Sequence, residues 1–89
     1  MSSQQKELFR LAVLRVFSAN KTRFGLGPEA ICHLVAVFGF PSPGLEPTAD
    51  AIDYLARKQF LEEVGKPISP ENRVWRITST GIGFLDERD

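Results

Sequence analysis

The 89-residue chain has a single cysteine, Cys32, so no disulfide can form within it, and a reducing, intracellular setting is the expectation. Its only histidine, His33, is adjacent. On a helix the two side chains point about 100° apart, which speaks against a Cys/His dyad and, unless carboxylates supply the remaining ligands, excludes a zinc site in the monomer. Charge of one sign is lacking too: 11 Lys and Arg cancel 11 Asp and Glu, which removes the easiest argument for a nucleic-acid or membrane partner. Long apolar runs are also missing. The longest uncharged stretch, residues 30–45, is too short to cross a bilayer and contains Gly39, Pro41, Pro43 and Gly44. Arg10 and Arg15 interrupt the one segment that could be mistaken for a signal peptide. A soluble, cytoplasmic protein is predicted.

Catalytic constellations fail on the same terms. Gly25-Leu26-Gly27 lacks the preceding strand and the following Gly or Lys of a phosphate loop. The neighbouring carboxylates Glu62/Glu63 and Asp86/Glu87 read as solvated charge rather than an acid/base pair. The expectation is a non-enzyme with no cofactor and no metal.

What remains is ordinary globular material, with 43% hydrophobic and 25% charged residues in one domain spanning 1–89. The charge is segregated. Residues 1–24 carry five cations against Glu7 alone, whereas residues 25–63 carry six carboxylates against Arg57 and Lys58. A ligand therefore meets patches.

Residues 3–19 contain neither Gly nor Pro and read as a helix with apolar side chains almost all round. Pro28, suited to a first helical turn, opens a second helix ended by Gly39, with Ile31, Leu34, Val35 and Phe38 as its core stripe. A third helix is predicted over 47–59. Its inner face carries Thr48, Ala49, Ile52, Leu55 and Ala56, and its outer face Asp50, Asp53, Tyr54 and Arg57, with Asp53 and Arg57 placed to pair. The runs 60–66 and 73–78 read as two strands of a hairpin, with Trp75 and Ile77 inward and Arg76 outward. Thr78 is placed to cap a closing helix over 79–87 whose Ile82, Phe84 and Leu85 return to the core.

The fold class is thus mainly α with a β-hairpin (α+β). Tyr54-Leu55, Phe60-Leu61 at the helix-to-strand corner, and Ile77-Thr78-Ser79-Thr80-Gly81 after the hairpin resemble winged helix-turn-helix regulators of the MarR-like and PadR-like families. Gln59 stands where those families usually have Gly. The chain is similar also to small winged-helix proteins of Mu-like prophages. The resemblance covers about half the chain well and implies the order α-α-α-β-wing-β-α, with the second and third helices forming the helix-turn-helix and the third lying in the DNA major groove.

Under that resemblance Arg57 and Tyr54 are the groove-side contacts, and Lys21, Arg23, Lys66, Arg73 and Arg76 the flanking phosphate ligands. Asp50 and Asp53 repel a phosphate backbone. Two functions follow: a small DNA-binding transcription regulator or phage-derived relative, or a winged helix used for protein interaction or assembly without DNA affinity. The basic wing and loop favour the first, and the acidic third helix the second. A homodimer is also expected, because the first helix lacks a polar stripe; Leu8, Leu11, Phe17 and Phe84 are its predicted interface.

Overall fold

The computed structural model of the protein describes residues 2–21, 25–41, 43–65 and 73–88. Helix α1 (Ser3–Ala19) starts at a capping box: the Gln5 N–H donates to Ser2 Oγ (3.2 Å) and the Ser2 N–H donates to Gln5 Oε1 (3.0 Å). At its other end Asn20 Nδ2 donates to the Val16 carbonyl. Helix α2 (Pro28–Leu34) has Pro28 in its first turn and tightens into a 3₁₀ turn, Val35–Phe38, closed by Gly39 at φ 96°.

Helix α3 (Leu45–Arg57) begins two residues before the predicted start. Gly44, at φ 90°, turns the chain into the helix, and Pro47 still falls where no intrahelical N–H is needed. Thr48, fully buried, donates its hydroxyl to the Gly44 carbonyl (2.8 Å), and Cys32 Sγ lies 3.2 Å from the same hydroxyl. Cys32 is thus half-buried, with its thiol a polar partner of Thr48.

Strands β1 (Leu61–Glu63) and β2 (Trp75–Ile77) form the predicted antiparallel hairpin in register Leu61↔Ile77 and Glu63↔Trp75, shorter than the sequence suggests. Leu26 adds an isolated bridge on the other side of β2: its N–H donates to the Trp75 carbonyl (2.8 Å), and the Trp75 N–H donates back (2.9 Å). Helix α4 (Ser79–Arg88) is capped by Thr78 Oγ1, which accepts from the Gly81 N–H and donates to the Gln59 carbonyl. The layout is four helices with a two-stranded hairpin, as the α+β expectation states. Among the described residues no helix is long and apolar enough to cross a membrane.

The corner between α3 and β1 is a helix-terminating loop in which the Phe60 N–H donates to the Leu55 carbonyl and the Gln59 N–H to that of Ala56. That pattern requires a left-handed residue at its turning point, and Gln59 occupies it at φ 66°. The core is built from Phe9, Val13, Leu14, Val16, Phe17, Ile31, Val35, Ile52, Leu55, Leu61, Trp75 and Leu85. Ala51, not Ala49, is the buried alanine of α3. Phe38, expected in the core, is 38% exposed, because Phe40 takes the inner place and packs edge-on against Phe9 (5.2 Å between ring centres).

Candidate interaction surfaces

Two surfaces carry the residues singled out from the sequence. The first is the outer face of α3 together with the hairpin. Asp50, Asp53 and Arg57 are exposed on α3. Asp53 and Arg57 form no ion pair with each other; a helix-surface pair of this kind is worth only about 0.2–0.5 kcal/mol when it does form.

Arg73 instead makes a two-pronged contact with Glu63, Nε to Oε2 at 3.1 Å and Nη2 to Oε1 at 3.0 Å. Its guanidinium also lies over the Trp75 ring, 4.8 Å from the centre. These hydrogen bonds hold the Glu63 carboxyl below its ordinary pKa, with the Arg73 charge adding a smaller push against desolvation. They raise Arg73 above its own ordinary value, with lesser help from the charges of Glu63 and Asp53. Arg76 Nε donates to Glu62 Oε1 at 2.6 Å across the register pair.

Arg76 borders a hollow that Lys21, Leu26 and Trp75 also line. Among the described residues the hairpin cations Arg73 and Arg76 thus each meet a carboxylate. Lys21 is exposed. Arg23 and Lys66, the remaining predicted phosphate ligands, lie outside the described residues.

The second surface is a groove of about 420 Å³ along α1, between the end of α3 and α4. Leu8, Leu11, Phe60 and Phe84 give it an apolar wall, and Phe60 and Phe84 are stacked at 4.6 Å. Tyr54, expected as a phosphate contact, is committed here: the Arg10 guanidinium lies 3.8 Å from its ring centre and the Lys58 ammonium 5.6 Å. Arg88 lies over Phe84 at 4.6 Å. Among the described residues none of these three cations has a carboxylate partner, and Glu7 is the acidic residue of the lining.

Of the predicted dimer interface, Leu8 (51% exposed) and the half-buried Leu11 and Phe84 converge on this groove. Phe17 does not. It is 2% exposed inside the chain's own core, so it offers nothing to a partner. Phe9, Ala12, Val13, Leu14 and Val16 are also buried by the chain itself, so most of the apolar surface of α1 is covered and Leu8 is the part left exposed. Sequence reasoning missed the Arg10–Tyr54 contact, which joins residues far apart in the chain. It also missed the hairpin ion pairs, although two acidic residues facing two arginines across a predicted hairpin were a visible signal.

Among the described residues no group of His, Cys, Asp and Glu is placed to hold a metal ion. No protein-family model, curated protein or solved structure matches the chain.

Proposed function

We propose that the protein is a winged helix serving as a protein-interaction module rather than as a DNA reader. The order of helices, the hairpin and the Leu26 bridge, which adds a third backbone segment beside β2, support the winged-helix reading. The observation that carries the functional choice is the neutralised hairpin. Arg73 and Arg76 are each matched by a carboxylate, and the adjacent α3 face presents Glu46, Asp50 and Asp53 against Arg57. DNA affinity rests on cations that displace counterions from phosphates, and among the described residues this surface has no net positive charge with which to do so. Protein partners tolerate such a mixed face.

The test is fluorescence anisotropy with a labelled random-sequence duplex at low salt. The expected result is no saturable binding by the native chain, and binding that appears when Asp50 and Asp53 are both changed to Asn. Tight, salt-sensitive duplex binding by the native chain would overturn the reading. It would restore a DNA-binding regulator or phage-derived relative, a second reading favoured by the exposure of Lys21 and Arg57.

A further inference from the structure

We infer that the groove between α1 and α4 is the docking site for an acidic amphipathic helix of a partner protein; the inference rests on the protein-module reading above and names the partner's chemistry. The groove runs along α1 from Gln4 to Leu14, so its wall is about 15 Å long, three helical turns. Leu8 and Leu11, three apart, present one apolar row, and the Phe60–Phe84 stack faces them. An incoming helix with apolar residues at i, i+3 or i+4, and i+7 fills such a trough.

Charge selects the occupant. Arg10, Lys58 and Arg88 border the trough, where among the described residues Glu7 is the one acidic residue of the lining, and each cation lies against an aromatic ring that holds it in place without consuming its charge. A segment carrying carboxylates beside its apolar stripe meets three pre-positioned cations. A second copy docking by two-fold symmetry would set those cations against themselves, a like-charge juxtaposition that disfavours the homodimer expected from the sequence.

The probes are two synthetic amphipathic helices with the same Leu positions, one with Glu and one with Lys beside them, titrated against the whole chain by fluorescence polarisation. The Glu probe binds saturably, more weakly as salt rises, and at least about tenfold more tightly than the Lys probe. The double variant Lys58→Glu/Arg88→Glu, confined to exposed positions, loses that preference, whereas Arg73→Ala/Arg76→Ala retains it. Failure of the Glu probe to bind, equal binding of both probes, or a preference that survives the Lys58/Arg88 variant overturns the proposal. So does sedimentation showing a dimer that Leu8→Asp dissolves, because a second copy is then the occupant. Duplex binding measured separately decides the protein-module reading, so the two failures are distinguishable.

Discussion

In the hairpin, Arg73 and Arg76 reach across to Glu63 and Glu62, whereas around the groove Arg10, Lys58 and Arg88 lie flat on Tyr54 and Phe84. Both arrangements order long side chains that would otherwise move freely, and they leave opposite residues of charge. The opposite charges of an ion pair largely cancel beyond their own separation, and salt screens what remains over about 8 Å at physiological ionic strength. A cation on an aromatic face keeps its full charge and its outward edge free. Arg73 and Arg76 are thus matched by carboxylates, whereas among the described residues Arg57 on α3 and the groove's Arg10, Lys58 and Arg88 have no carboxylate partner.

The contrast can be broken most severely at Gly81. A Cβ there would lie 2.5 Å from the Phe60 carbonyl oxygen and 2.8 Å from Ile77 Cγ1. Gly81→Val is expected to destabilise the fold by about 3 kcal/mol, because α4 must back away from the corner and take Phe84 off Phe60. A urea midpoint equal to that of the native chain would show that α4 is not seated as described. Next in size is Tyr54→Leu, which removes the ring beneath Arg10 and Lys58 and costs about 1 kcal/mol while the hairpin keeps its register. Backbone amide shifts that change across β1 and β2 as strongly as around the groove would contradict the independence of the two surfaces.

Gln59→Gly acts in the other direction at the corner both surfaces share. Relief of a left-handed side chain, less the extra unfolded-chain freedom of glycine, nets about 0.5 kcal/mol of stabilisation, read as a melting temperature higher by about 2–4 °C. An unchanged or lower melting temperature refutes the strain assigned to φ 66°.

The smallest effect belongs to Glu63→Gln, and pH reveals it. The folded pKa of Glu63 lies below its ordinary value of 4.5, so its contribution is complete above that value and fades as the pH falls through the lowered folded one. The small stability gap between native and Glu63→Gln chains is therefore present at pH 6 and closes below pH 4.5. A gap that widens on acidification would mean Arg73 is not its source.

Much of the chain was legible because local rules decided it. Pro28 and Gly39 bracket the second helix and its 3₁₀ turn, Thr78 caps the last, and Gln59 occupies the turning position where glycine is usual. Helix α3 starts two residues before the expected position because Pro47 reads as the first helical residue, while the positive φ of Gly44 already turns the chain into the helix. Three of the four predicted interface residues gather on one groove, since exposed apolar side chains on α1 and α4 leave a period that a sequence displays. The pairing of Arg10 with Tyr54, and the burial of Phe17 by its own chain, depend on how α1 packs on the rest, which no local pattern records.

The Leu26 bridge has a consequence for how the protein behaves in a crowded solution. With β1 on one side and Leu26 on the other, β2 is flanked on both edges at Trp75, and among the described residues the outer edge of β1 has no strand beside it. That edge is three residues long and two of them are Glu62 and Glu63. A strand so short and acidic is a poor template for edge-to-edge growth, which keeps a small sheet from seeding aggregation.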